Sequence, residues 1–324
     1  MSLKILSRGL FSTLQEACEA GGAIDTFALY ASNLLVGNGE GEAALEITLL
    51  GPEIHFEREA LIAICGGDLA PSVDGKLIPN WRPVYVHAGS TLKFTDAKNG
   101  FRSYLAVAGG FDVESAPERR KSDLLHLGRP LREGDILKFG ELPESAAKQF
   151  NRLRDAARHE TFATTDWFVS HEVMPSYNAK RRIRVLRSDS YEQFSTGSRE
   201  RVFASPFQMK PETNRLSYRL DGVSLRVEEP TIATSNTVSP NPAQVGAISV
   251  REDRTPFIQM SAQSDPTPHI ARVIPVDFPV LSQVRPGERI KFHEVSPNEA
   301  QELAYLRQMG LRILKNTILS LQSR

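Results

Sequence analysis

Arg285-Pro-Gly-Glu-Arg-Ile-Lys-Phe292 reads as a tight turn that feeds a half-buried strand, and the chain repeats it twice more upstream. The other copies are His87-Ala-Gly-Ser-Thr-Leu-Lys-Phe94 and Arg132-Glu-Gly-Asp-Ile-Leu-Lys-Phe139. Gly89, Gly134 and Gly287 each stand at the same distance before an aliphatic residue, a lysine and a phenylalanine. Glycine supplies the positive φ of such a turn, and the alternation then places the aliphatic and the phenylalanine on one face. The interval from Gly89 to Gly134 is far shorter than that from Gly134 to Gly287, so the copies do not form a solenoid. Two related β halves, one holding two copies, account for the spacing better.

Short alternating runs fill the sequence between these marks: Leu45 to Leu49, Leu61 to Ile64, Tyr104 to Ala108, Ile183 to Leu186, Val223 to Val227 and Ala247 to Val250. Turn residues separate them at the spacing of barrels and sandwiches. Three helices interrupt the β pattern. Asp25 can cap a helix whose Phe27, Ala31, Leu34 and Leu35 share a face and which stops at Gly37. Glu144 to His159 carries Phe150, Leu153 and Ala157 at helical spacing. Ser296-Pro297-Asn298-Glu299 is a capping box, after which Leu303, Leu306, Gly310 and Ile313 form the expected stripe of a terminal helix. A basic run, Lys180-Arg181-Arg182, opens a new strand after Tyr177, so the expected domains are 1–178 and 179–324.

The 324 residues hold 39 Lys plus Arg against 39 Asp plus Glu, which gives no global field for a phosphate backbone. Nucleic acid is therefore not an expected partner. Only Cys18 and Cys65 are present, too few for a disulfide framework, and reduced thiols suit a cytoplasmic location. No apolar run is long enough to span a membrane, and no signal-peptide core is apparent. The chain has no Gly-x4-Gly-Lys-[Ser/Thr] loop and no Gly-x-Ser-x-Gly elbow, and its seven histidines show no zinc spacing. Gly37-Asn-Gly-Glu-Gly41 follows a helix, so it is a helix stop and not a dinucleotide loop. Met209-Lys210-Pro211 is not a biotin-carrying Met-Lys-Met hairpin, so no covalently bound cofactor is expected.

Two polar features stand out locally. Asp68 follows an apolar run and two glycines, and reads either as a turn-capping residue or as a group approached by a ligand. Arg215, Tyr218 and Arg219 read either as a surface strand or as a fork for a carboxylate.

Larger patterns carry a family resemblance. Gly22-Ala-Ile-Asp25, Ala31-x-Asn33-Leu-Leu-Val-Gly-Asn38 and Ala44-Leu-Glu46-Ile-Thr48 resemble the bacterial allophanate hydrolase subunit 2 family. Gly66-Gly-Asp68, Trp81-Arg-Pro83, Tyr104-Leu-Ala-Val-Ala-Gly-Gly110 and Tyr218-Arg-Leu220 extend the likeness, which runs from about residue 3 to about 305. That family includes the C-type component of 5-oxoprolinase and an antagonist of a sporulation kinase inhibitor. It is related to the carboxyltransferase part of urea carboxylase. The resemblance implies a mainly β chain of two tandem cyclophilin-like β-barrel lobes with a few helices, including a terminal one. It implies a small B-type subunit as partner and a lactam-utilisation A-type subunit as a second. Together these open 5-oxoproline to glutamate with ATP. On this reading Asp68 and Glu46 are the catalytic candidates, with Asp25, Asn33, Arg215, Tyr218 and Arg219 binding substrate.

The sequence also departs from the family. A glycine-rich loop expected after Thr13-Leu14-Gln15 is shortened to Glu16–21. Arg-Met-Gly-Tyr-Arg becomes Arg215-Leu-Ser-Tyr-Arg219, and a Gly-Gly turn is replaced by Gln263-Ser-Asp-Pro-Thr-Pro268. The segment ending His126-Leu-Gly-Arg129 is likewise reduced. Glycine turns present backbone N–H groups to anions, and proline has none to present. These changes support an alternative: a catalytically silent regulatory or scaffolding paralogue that binds the small family subunit.

Overall fold

The structure is a computed structural model that describes residues 1–17, 22–113, 129–177, 181–228, 245–251, 253–261 and 267–323. Cys18, His126 and most of the Gln263–Pro268 turn lie outside the described residues. The chain is mainly β and folds as two compact units, Met1–Pro175 with Met309–Arg324, and Ser176–Gln308.

In the first unit the strands are β1 (Ser2–Ser7), β2 (Phe11–Gln15), β3 (Ala44–Thr48), β4 (Glu53–Phe56), β5 (Ala60–Asp68) and β6 (Pro71–Val73). They continue with β7 (Lys76–Leu77), β8 (Pro83–Val86), β9 (Thr91–Phe94), β10 (Asn99–Val107), β11 (Ile136–Lys138) and β12 (Phe162–Thr164). One six-stranded sheet has the order β11-β1-β4-β9-β6-β7, the other β12-β8-β5-β10-β3-β2. Leu3, Ile5, Ile54, Phe56 and Leu92 of the first sheet and Leu45, Ile47, Ile62, Ile64 and Leu105 of the second form one apolar core. The second sheet is buried on its other face too, beneath α1 (Thr26–Leu35) and α2 (Glu144–Ala156). Two-sided burial is why Ala44-Leu-Glu-Ile-Thr48 is buried at every position. Leu45 and Ile47 enter the inter-sheet core, while Ala44 turns to the helical face.

The second unit holds β13 (Arg182–Arg187), β14 (Phe207–Met209), β15 (Ser217–Asp221), β16 (Ala247–Val250), β17 (Pro256–Gln259), β18 (His269–Val273) and β19 (Arg289–Glu294). They close into a barrel in the order β13-β18-β16-β17-β15-β14-β19. Closure is made by the parallel pairing of β13 with β19, which leaves no free edge. Val223–Val227, expected as a strand, makes only an isolated bridge from Val227 to Phe194. Gly222 at φ +156° and the bend beyond it end β15 before that run can pair.

The three-fold motif folds alike at each site. Gly89, Gly134 and Gly287 have φ of +85°, +84° and +88°. Each sits third in a turn closed from residue four to residue one: Ser90 N–H to His87 O, Asp135 to Arg132, and Glu288 to Arg285. Each glycine N–H also donates to a neighbouring chain segment, at Phe56, Ile5 and Met209 respectively. The apolar pairs Leu92/Phe94, Leu137/Phe139 and Ile290/Phe292 are all buried, and the intervening lysines are exposed. Burying each such side chain contributes about 1.5–3 kcal/mol.

The described residues contain five helices, among them α3 (Thr196–Ala204) and α4 (Phe278–Ser282), which the sequence pattern did not reveal. Only Ser198 and Val202 of α3 are buried, too little apolar periodicity to read. The terminal helix α5 (Pro297–Gln322) begins as expected, with Ser296 Oγ accepting the Glu299 N–H at 3.2 Å. Its expected stripe is corrected: Leu306 and Ile313 are 57% and 58% exposed, and the buried residues are Leu314, Ile318 and Gln322. In the first unit Leu314 and Ile318 pack among Leu34, Ala146, Phe150 and Leu153. Gln322 Nε2 donates to Leu34 O at 2.9 Å, a second donor to a carbonyl at the end of α1 that also accepts the Gly37 N–H at 3.0 Å.

Candidate functional site

α1 begins at Asp25, whose Oδ1 accepts the Ala28 N–H at 2.9 Å. Phe27, Ala31, Leu34 and Leu35 are buried against the second sheet, and Gly37 at φ +76° terminates the helix. Directly beneath, the register aligns Cys65 on β5, Tyr104 on β10 and Glu46 on β3 across three adjacent strands. Tyr104 Oη accepts the Asp25 backbone N–H at 2.9 Å and donates to Glu46 Oε2 at 2.7 Å. Arg102, two residues along β10, holds its Nε 3.8 Å from Glu46 Oε1. Asp25, Glu46, Tyr104 and Arg102 are all at most 4% exposed.

A row of ionisable groups this dry perturbs its members. Burial pushes the Tyr104 hydroxyl well above the usual tyrosine range, and the nearby Glu46 and Asp25 charges add to the shift. Burial, reinforced by Asp25, likewise raises the Cys65 thiol, so it is neutral and unreactive at neutral pH.

Asn33 sits on the same helix but does another job. Its Nδ2 donates to Glu42 O at 2.7 Å, and its Oδ1 accepts from Asn38 Nδ2 at 3.0 Å. Asn38 in turn binds Val107 O and the Gly109 N–H, both at 2.8 Å. Asn33 therefore ties the helix stop to the end of β10.

Asp68 ends β5, half-buried. Its Oδ1 accepts the Ala70 N–H at 2.9 Å, which makes it a turn former, with Ala70 at φ +48°. Gly66 is where the backbones come close: a Cβ there would stand 2.6 Å from Arg102 O. Next to it, Ser103 Oγ donates to Gly67 O.

In the second unit, Tyr218 is fully buried and lies opposite Ile258, on the inner face of the barrel wall. Arg219 is its strand neighbour and so projects from the other face, half-buried. Arg215 precedes the strand and is 9% exposed. The structure thus brings Asp25 and Glu46 together, places Asn33 and Asp68 elsewhere in the first unit, and separates Tyr218 from Arg219 across one strand.

Sequence reasoning missed Tyr104 and Arg102 as site residues. A signal was present: a tyrosine within a strand buried on both faces needs a partner for its hydroxyl. Among the described residues no group of three or more His, Cys, Asp or Glu could hold a metal ion. Nor, among them, is any helix long and apolar enough to cross a membrane.

Residues 18–294 match the pattern of the carboxyltransferase domain, subdomains A and B, and the chain belongs to that family. It is 31% identical over 329 residues to the C-type component of 5-oxoprolinase from Escherichia coli K12, covering 96% of this chain and 98% of the relative. It is 27% identical to urea amidolyase of Saccharomyces cerevisiae, covering 91% of this chain but 16% of that protein. The crystal structure of the Kluyveromyces lactis urea carboxylase superposes with a TM-score of 0.76 at 21% identity. That match covers 97% of this chain and 29% of that one, and it shows a shared fold.

Proposed function

We propose that this chain is a subunit of a complex that opens a cyclic amide at the expense of ATP, converting 5-oxoproline to glutamate. The supporting observation is that it matches the C-type component of 5-oxoprolinase along nearly the whole of both chains, and only a small part of the urea amidolyases. In this reading the partners are a small B-type subunit and a lactam-utilisation A-type subunit, and ATP is used by the complex.

Lactam opening needs a base for water and a group to hold the substrate carboxylate. Of the two proposed bases, Asp68 is the more able, because it is half-buried and one of its oxygens serves only a local turn. Glu46 Oε2 already receives the Tyr104 proton in a site closed to water. Arg215 and Arg219 are proposed as carboxylate anchors, since a guanidinium can bind a carboxylate with two parallel hydrogen bonds. Asp25 is proposed to border the substrate.

The test is glutamate formation from 5-oxoproline and ATP by the reconstituted subunits. Activity that requires this chain, and falls at least about tenfold with Asp68→Asn, is the expected result. Equal activity when this chain is omitted would overturn the proposal.

One observation favours a second reading. Asp25, Asn33 and Glu46 all spend side-chain hydrogen bonds on their own chain, as a scaffold would. A silent regulatory paralogue would co-elute with the small subunit and leave the rate of the complex independent of Asp68.

A further inference from the structure

A cavity of about 170 Å³ opens at the surface of the second unit, where β13 runs out and β18 begins. That is several times the roughly 30 Å³ share of one water molecule, so it has room for a small organic molecule. Its wall has two sides. β18 contributes His269 and Arg272, the latter opposite Leu186 in the strand register. The end of β13 and the turn after it contribute Arg187, Ser188, Asp189 and Ser190.

Three of these six residues are committed to the fold. Arg187 holds the Glu294 carboxylate with two nitrogens, at 2.7 and 2.9 Å, and lies over the Tyr191 ring. Ser188 Oγ donates to His269 O, and His269 Nδ1 is 2.6 Å from Ser249 Oγ. The turn is also closed along its own backbone. The Tyr191 N–H donates to Ser188 O at 3.1 Å and the Gln193 N–H to Ser190 O at 3.0 Å. The wall is thus set before a ligand arrives, which lowers the ordering cost of binding.

The other three are not committed. Among the described residues, the side chains of Arg272, Asp189 and Ser190 make no hydrogen bond or ion pair. Ser190 is only 9% exposed, and a hydroxyl buried to that degree is ordinarily bonded. Arg272 and Asp189 are exposed and carry opposite charges on the wall of one small cavity, yet they do not pair with each other. A plain anion bound there meets the Asp189 carboxylate, and a plain cation meets the Arg272 guanidinium; like charges brought together oppose binding. A ligand that carries a carboxylate and an ammonium on one carbon answers both charges at once.

We propose that this cavity binds the zwitterion of a free α-amino acid. Arg272 holds the carboxylate, Asp189 holds the ammonium, and the Ser190 hydroxyl donates to a carboxylate oxygen. None of these three residues belongs to the site proposed above for amide opening. Glutamate, the product in that reading, is a ligand of this class. 5-Oxoproline, with a lactam nitrogen and no ammonium, is not. The proposal does not depend on that reading, because the chain binds the amino acid without partners.

Titration calorimetry on the full chain tests it. L-Glutamate and L-alanine bind with Kd between about 10 μM and 1 mM, and succinate, ethylamine and 5-oxoproline bind at least about tenfold more weakly. Arg272→Gln and Asp189→Asn each weaken L-alanine binding at least about tenfold, and Ser190→Ala weakens it about threefold. Arg272 and Asp189 are exposed and unpaired, so both charge variants keep the wild-type thermal unfolding midpoint.

Succinate binding as tightly as L-glutamate overturns the zwitterion and makes this a plain anion site. Amino-acid binding that survives both charge variants puts the ligand elsewhere and overturns the proposal, as does no binding of either amino acid up to about 10 mM. None of these results bears on amide opening, which glutamate formation by the reconstituted complex decides separately.

Discussion

Asn38 donates a side-chain hydrogen bond to Asn33 Oδ1 at 3.0 Å, and through it the end of α1 is joined to β10 at Val107. Both residues are buried, so the amide pair replaces water for groups that the helix stop would otherwise leave unpaired.

Replacing Asn33 with alanine removes the part-buried bond to the Glu42 carbonyl and one of the two acceptors of Asn38 Nδ2, which keeps Val107 O. The expected loss is about 1–2 kcal/mol of unfolding free energy, since a typical internal hydrogen bond contributes about 0.5–1.5 kcal/mol. Urea denaturation of the full chain measures it. An unchanged midpoint would show that Asn33 serves something other than the fold.

The repeated turns make a sharper prediction, because a Cβ at Gly134 or Gly287 would meet nothing within 4 Å. Gly134→Ala and Gly287→Ala should therefore each cost only the left-handed backbone penalty, about 1–2 kcal/mol. Pro286→Ala should cost less, about 0.4–1 kcal/mol, by freeing the unfolded chain. Thermal unfolding gives the order, and a larger effect from Pro286 would contradict the shared turn geometry.

Tyr30 should report on the docking of α5. Its hydroxyl is pushed up from 10.0 to about 12, chiefly by burial and then by the Glu40 carboxylate, which pairs with Lys315 at 2.5 Å. The folded value lies above the unfolded one, so the stability it contributes is complete below about pH 10 and is lost as pH rises towards 12. Ultraviolet difference titration should show Glu40→Gln moving this tyrosine downward. Tyr85, raised by burial and Glu59, should stay in place.

The phase of α5 can be read by paired truncations. Leu314→Ala should cost about 2–4 kcal/mol as a buried large-to-small change, whereas Ile313→Ala should stay within about 0.5 kcal/mol. Equal effects would mean that the exposed side of the helix is covered in solution.

Much of the architecture was legible in the residues. The Gly-x-x-[Leu/Ile]-Lys-Phe copies, the Asp25 cap, the Gly37 stop and the Ser296 cap depend on interactions within a few positions, which sequence displays directly. Helix α3 and the true buried face of α5 were not legible. Their burial is set by what packs against them, and α5 offers apolar residues on more than one face. The departures at 18–21, 126–128 and 262–266 fall outside the described residues.

The candidate site divides in the same way. Sequence by itself determined that Asp25, Asn33, Glu46 and Asp68 lie in the strands, caps and turns of a β protein with this family's pattern, because local chemistry fixes those roles. Only the tertiary structure decided which of them meet. Strand register set Glu46 beside Tyr104, and pairing between strands far apart in the chain is written in no single stretch of it.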